Sequence, residues 1–95
     1  MNKSYRYMKI IKVLSLYYGM DDKEFINLLK NKESKYLLLL LLKKYKCINE
    51  TELMHILNYK NKRSVIYNTK KAEEKLLINK EFREKFFEVE ENLLK

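Results

Sequence analysis

Residues 49–71 read NETELMHILNYKNKRSVIYNTKK, and the two halves of this segment have different patterns. In the first half, Asn49 stands three residues before Glu52, which is the spacing of a capping box, and a short amphipathic stretch follows. After a polar connection, a helical pattern resumes near Asn61 and continues to about Asn79. The order of short helix, tight turn and longer helix predicts a helix-turn-helix pair. The longer helix has an inward stripe of Val65, Thr69, Ala72 and Leu76, opposite the outward side chains of Lys62, Arg63, Tyr67 and Lys70.

Residues 58–71 form a basic segment, because five of their side chains are basic and none is acidic. Positive charge at the start of such a helix suits phosphates and base edges, so the pattern predicts a DNA-binding surface. A solvated Lys-rich surface is the plainer alternative. The absence of acids throughout the segment favours DNA.

Composition predicts an all-α protein. The chain has 95 residues with no Pro and one Gly, so it lacks the residues that hairpin turns require. Gly19 is placed to end the first helix, and the pair Asp21 and Glu24 has the spacing that begins a second one. Cys47 is the only cysteine, so no intramolecular disulfide is expected. We therefore expect one domain over residues 1–95, a compact bundle of about six helices.

A run of six leucines at residues 37–42 predicts a central, fully buried helix. We expect Ser34 to cap this helix and the helix to continue to about Lys46. The run is far shorter than the ~20 apolar residues that a bilayer requires, so no membrane segment is expected. The basic N-terminus is interrupted by lysines and has no small-residue cleavage site, so no signal peptide is expected either. The last helix should bury Phe82, Phe86, Val89 and Leu93.

The charge distribution points to an anionic partner. The formal net charge is +8, which favours nucleic acid or a membrane surface. Residues 1–20 carry four basic residues and no acid, whereas residues 72–95 carry five basic and seven acidic ones. His55 is the only histidine, and no second His or Cys lies at metal-ligand spacing. With no visible pair of nucleophile and base, we expect no enzyme activity, cofactor, metal or small-molecule substrate.

Taken in order, these segments resemble the C-terminal DNA-binding domain of the bacterial replication initiator DnaA, which is similar in plan to the Trp repressor fold. IIKVLSLYYGMDDKEF, at residues 10–25, is similar to the family's opening helix and the start of its second helix. KYLLLLLLKKY, at 35–45, is similar to its central helix. INETELMHIL and NYKNKRSVIYNTKKAEEKL, at 48–76, resemble its helix-turn-helix pair and signature region. The resemblance extends from Ile10 to about Leu94.

The family signature reads Gly-Gly-Arg-Asp-His-Thr-Thr-Val, where this chain has NYKNKRSV at residues 58–65. Only Val65 and the hydroxyl residue before it, Ser64, match the residue types of the family signature. The resemblance therefore implies that residues 60–63 lie in the major groove but prefer different bases. Asn favours adenine, and Arg or Lys favours guanine. We expect Asn61 and Arg63 to point away from the core and to contribute little to stability. The expected base contacts are Asn61, Lys62 and Arg63, and the expected phosphate contacts are Lys60, Ser64, Lys70 and Lys71.

Two further groups of residues could contact nucleic acid, a basic loop and a pair of tyrosines. The family has a basic loop before its central helix, and an Arg of that loop enters the minor groove. Here the loop is about three residues shorter by comparison with the family pattern, and it offers only Lys30, Lys32 and Lys35. Tyr59 and Tyr67 lie among basic residues, and the choice between stacking on nucleic acid and packing stays open for both. No Gly-rich phosphate loop like that of the initiators' ATP-binding module occurs.

The sequence predicts a cytoplasmic, nucleoid-associated, sequence-selective protein that binds double-stranded DNA. Its use in replication, transfer or transcription control stays open, as does formation of a homodimer or a complex with another DNA-bound protein. Frequent Asn, Lys, Ile and Tyr indicate an AT-rich genome such as that of a plasmid, a phage or a low-GC bacterium. One alternative is a non-catalytic adaptor that docks other proteins by exposed aromatics and the acidic last helix. Another is a protein that binds single strands or RNA.

Overall fold

Six helices follow one another along the chain, as expected for an all-α bundle. A computed structural model of the protein describes residues 3–95, with side chains from Tyr5 onward. No β-strand occurs in this range. The helices are α1 Lys3–Tyr17, α2 Asp22–Leu28, α3 Lys32–Lys44, α4 Glu50–Ile56, α5 Lys62–Ile78 and α6 Lys80–Leu93.

Most helix boundaries follow from short-range signals. Gly19 adopts a φ of 67° after α1, the left-handed conformation expected there. Asp21 begins α2 with a complete capping box: its carboxylate accepts from the Glu24 amide at 2.8 Å, and the Glu24 carboxylate accepts from the Asp21 amide at 3.2 Å. Asn49 caps α4 by accepting from the Glu52 amide at 3.0 Å. These three predictions are confirmed.

The predicted start of α3 is wrong. Asn31, not Ser34, is the N-cap residue, and its side chain accepts a hydrogen bond from the Glu33 amide at 2.9 Å. Ser34 is buried inside the first turn, where its hydroxyl donates to the Leu28 carbonyl at 2.8 Å and to the Asn31 carbonyl at 3.0 Å. Asn is among the best N-cap residues, so the helix begins three residues earlier than expected.

The end of α3 also differs from the prediction, since the helix stops at Lys44 rather than near Lys46. Lys46 adopts a φ of 56°, and the Cys47 amide turns back to donate to the Leu42 carbonyl at 2.9 Å. A left-handed residue followed by such a backward hydrogen bond closes a helix and satisfies one of its last carbonyls. The buried Cys47 follows directly.

Helix α3 is the centre of the core. All six leucines at residues 37–42 are buried, and α3 packs against α1, α5 and α6. The predicted stripe of α6 is buried as well, whereas Leu28 and Leu76 are only partly buried at the edge of the core. In residues 3–95, no helix is long and apolar enough to cross a membrane. The buried apolar residues come from all six helices and form one cluster.

Glu90 joins α6 to the end of α3 and was not anticipated from the sequence. Its side chain is buried, accepts a hydrogen bond from the Tyr45 hydroxyl at 2.9 Å and forms a salt bridge with Lys44. Burial alone would raise the pKa of this carboxyl group. The hydrogen bonds from Lys44 and Tyr45, together with the Lys44 charge, outweigh burial and leave the pKa of Glu90 below its ordinary value of 4.5.

We expect stability to fall in acid through Glu90. A carboxyl group whose pKa is lowered by folding stabilises the fold above its unfolded pKa, and that contribution is lost as the pH falls through the folded value. Glu90→Gln should therefore lower the free energy of unfolding by about 1–3 kcal/mol at neutral pH and reduce its fall below pH 4.5. Urea unfolding at several pH values measures both effects. Glu91→Gln, at an exposed neighbour, is the control, and equal pH profiles for both variants would contradict the assignment.

Candidate nucleic-acid interface

A tight turn between α4 and α5 sets the direction of α5. Asn58 adopts a φ of 57°, and the Tyr59 amide donates to the Met54 carbonyl at 2.9 Å. Asn tolerates this left-handed conformation better than most residues because its short polar side chain forms local hydrogen bonds. The turn therefore forms without a glycine at this position.

Asn61 is the N-cap residue of α5. Its side-chain oxygen accepts hydrogen bonds from the Ser64 amide at 3.0 Å and from the Ser64 hydroxyl at 3.3 Å. The expectation that Asn61 contributes little to stability is therefore wrong, because loss of an N-cap side chain typically costs ~1 kcal/mol. The side-chain amide nitrogen is not engaged by the cap. Ser64 is partly buried, and its hydroxyl is directed toward Asn61.

The two sides of α5 separate as predicted. Val65, with 1% of its surface exposed, is buried together with Thr69 and Ala72, and the Thr69 hydroxyl donates to the Val65 carbonyl at 2.7 Å. This side packs against α3 and α4. The opposite side is open to solvent, and Tyr67 is 60% exposed there. The other exposed residues of the basic segment are Asn58, Lys60, Asn61, Lys62, Arg63, Ile66, Lys70 and Lys71.

Most cations of the basic segment have no acidic partner. Across the described part of the chain, Lys60, Lys62, Arg63 and Lys70 form no salt bridge. Lys71 differs, because its ammonium group lies 3.6 Å from the Glu74 carboxylate and 5.6 Å from the centre of the Tyr67 ring. Glu74 lies three residues beyond Lys71 and just outside the basic segment. The sequence interpretation of unpaired charge is therefore wrong for Lys71.

The first turn of α5 differs in charge from that of most helices in the described part of the chain. Helices α2, α3, α4 and α6 each have an acidic residue in the first turn, whereas α1 and α5 have none. Acidic residues there are favourable because the N-terminal end of a helix carries a partial positive charge. Helix α5 instead begins with Lys62 and Arg63, which is locally unfavourable. The start of α5 is thus a concentrated positive site.

Helix α3 brings two more lysines to this surface. The Lys35 ammonium group lies 5.1 Å from the centre of the Tyr59 ring, so the start of α3 adjoins the α4–α5 turn. Lys32 from α3 and Lys75 from α5 each lie 6.0 Å from the centre of the Tyr36 ring. Lys30 is exposed in the connection between α2 and α3.

Comparisons with known proteins supply no relative. The chain matches no family model, and neither a curated protein nor a solved structure matches it.

The two tyrosines of the surface differ in environment. The Tyr59 hydroxyl is buried without a hydrogen-bond partner among the described residues, and burial, with a smaller effect of Tyr36, raises the pKa of Tyr59 to about 12. Its ring packs against the core. Tyr67 is exposed and available for a ligand. The sequence left both residues open, and burial favours packing for Tyr59.

Ile66 was overlooked in the sequence. It is 48% exposed, and helical spacing places it between Arg63 and Lys70 on the outward side of α5. An apolar side chain among cations on such a helix offers a contact to the methyl group of thymine. The available signal was its position, three residues after Arg63 and four before Lys70.

The described residues include no candidate metal site beside this surface. Within residues 3–95, no three His, Cys, Asp or Glu side chains are grouped so that they could hold a metal ion. His55 is exposed in the last turn of α4.

Proposed function

We propose that this protein binds double-stranded DNA with sequence preference, and that the first turns of α5 lie in the major groove. The observation that carries the proposal is the start of α5, where basic residues occupy the first turn and acidic ones are absent. A bound phosphate backbone removes the unfavourable interaction of these cations with the helix end. The preceding short helix and tight turn place this end at the surface.

The exposed residues divide into two roles. Arg63 makes paired hydrogen bonds to guanine, Lys62 contacts a neighbouring base edge, and Ile66 contacts a thymine methyl group. Lys60 and Lys70 bind phosphates. Lys71 binds a phosphate of the DNA backbone after its ammonium group leaves the Glu74 carboxylate. Asn61 and Ser64 orient the first turn, which leaves the Asn61 amide nitrogen for adenine. A second set of phosphate contacts comes from Lys32 and Lys35, with Lys30 at its edge.

The biological setting belongs to the same proposal. The resemblance to the DNA-binding domain of replication initiators supports binding at an origin, and transfer or transcription control uses the same surface. This role places the protein in the cytoplasm with the nucleoid. No step of it calls for a cofactor or for catalysis by this chain.

Salt dependence of duplex binding tests the proposal. We expect Lys70→Ala to reduce the slope of log affinity against log salt by about one, because one phosphate contact is lost. Lys71→Ala should reduce it less, since Glu74 already neutralises part of that charge. Fluorescence anisotropy over a salt series measures these slopes.

Lys23→Ala is the matched control, because Lys23 is an exposed lysine of α2 outside the proposed surface. It should leave the slope unchanged. Tighter binding to single strands than to duplex, or equal slopes for wild type and Lys70→Ala, would overturn the proposal.

A further inference from the structure

A second surface lies away from the basic segment. A groove of about 710 Å³ is formed by residues of α1, α2 and α4. Its lining is mainly apolar, and Met8, which is 70% exposed, stands at its edge. Lys9 and Lys12 line it from α1, whereas Asp22 and Glu52 line it from the other two helices. The apolar lining residues are Tyr5, Tyr7, Met8, Ile11, Val13, Ile26 and Ile56.

The exposed face of α6 has the opposite character. Phe87 is 54% exposed, although the rest of the apolar stripe of α6 is buried. Glu84 lies three residues before Phe87 and Glu91 four residues after it, so all three side chains share one exposed face. A large aromatic side chain between two carboxylates is thus presented to solvent.

We propose that Phe87 of one molecule inserts into the α1–α2–α4 groove of a second copy of this chain. Glu84 and Glu91 then meet Lys9 and Lys12 on the α1 side of the groove. Charge complementarity carries this inference, because the groove wall on α1 is basic and the face around Phe87 is acidic. Asp22 and Glu52 on the opposite wall fix the orientation, since they repel a partner docked with its carboxylates toward α2 and α4.

Two copies that each carry a net charge of +8 repel one another in most orientations. Only an orientation that pairs acidic with basic residues, as this contact does, avoids that repulsion. An aromatic anchor in a groove with charges around it is the usual arrangement of a strong contact residue. The two surfaces are different patches of the molecule, so the contact is heterologous and can continue from copy to copy. The inference is independent of DNA binding.

Reciprocal charge exchange in the full-length protein, without DNA, tests this contact. One variant carries Lys9→Glu and Lys12→Glu, and the other carries Glu84→Lys and Glu91→Lys. We expect the sedimentation coefficient of the wild type to rise with concentration and each variant alone to stay monomeric. An equimolar mixture of the two variants should associate again, because the unaltered acidic face of the first variant fits the unaltered groove of the second. The exchanged charges of the other pair of surfaces are complementary as well.

Phe87→Ala tests the anchor and should weaken association at least about tenfold. Thermal melting of every variant establishes that the fold is retained, and unfolded variants are replaced by single substitutions at Lys12 and Glu84. A wild type that stays monomeric at all concentrations overturns the proposal. Association that persists in both charge variants, or a mixture that stays monomeric, overturns the assignment of these two surfaces. Because no DNA is present, neither result depends on the proposed function.

Discussion

Val65→Asp should unfold the domain. Val65 is almost completely buried on the side of α5 that packs against α3 and α4. An ionised carboxylate at this site would have to leave water without a compensating partner. Such substitutions destabilise by more than about 4 kcal/mol, which is comparable with the entire stability of a small domain. We therefore expect no cooperative melting transition in circular dichroism.

Ile66→Asp is the matched control for this experiment. It adds the same carboxylate one residue later, at an exposed position about 100° around α5 from Val65. Its melting temperature should stay close to that of the wild type, because exposed substitutions usually change stability by less than ~0.5 kcal/mol. If Val65→Asp melted like the wild type, the inward side of α5 would be wrongly assigned.

Arg63→Ala should relax the base preference at one position of the DNA site. Loss of a two-point contact between a guanidinium group and guanine typically removes about 1–3 kcal/mol of discrimination, whereas the phosphate contacts stay. The melting temperature should not fall, since Arg63 is exposed, forms no salt bridge among the residues described and carries a charge that is unfavourable at a helix N-terminus. Competition between duplexes that differ at one base pair measures the effect.

Asn61→Ala provides the contrast to Arg63→Ala. Asn61 stands two residues before Arg63 but caps α5. Loss of the cap should lower stability by ~1 kcal/mol and weaken binding to all duplexes by disordering the first turn of α5, in addition to relaxing the preference for adenine at one position. If Arg63→Ala kept the full wild-type preference, specificity would come from Lys30, Lys32 and Lys35 or from DNA shape instead. Arg63 would then lose its proposed role.

The order and type of the helices could be predicted because their signals are local. Capping boxes, the position of Gly19 and helical periodicity each involve residues within one or two turns of one another. The start of α3 shows where local signals fail. Asn31 and Ser34 are both suitable N-cap residues, and the burial of the Ser34 hydroxyl against the Leu28 carbonyl decides between them. That burial depends on the packing of the end of α2 against the start of α3, which local sequence signals do not specify.

The candidate site was only partly predictable for a related reason. The basic segment and its outward side chains follow from sequence spacing, and both agree with the exposure of α5. The position of Lys35 over Tyr59 depends on the packing of α3 beside the α4–α5 turn. The salt bridge between Lys44 and Glu90 likewise joins residues distant in the chain. Long-range partners of charged groups are set by the tertiary fold.

The unfavourable charges in the first turn of α5 have a consequence for how well ordered that turn is with and without an anionic ligand. A helix end that repels its own side chains opens more readily than the rest of the helix, and an anion that neutralises those side chains closes it. If the proposed anionic ligand binds at this end, the order of residues 61–64 depends on the concentration and charge of that ligand. Any mutation that makes this turn rigid by adding an acid would strengthen the free helix and weaken its hold on an anionic ligand.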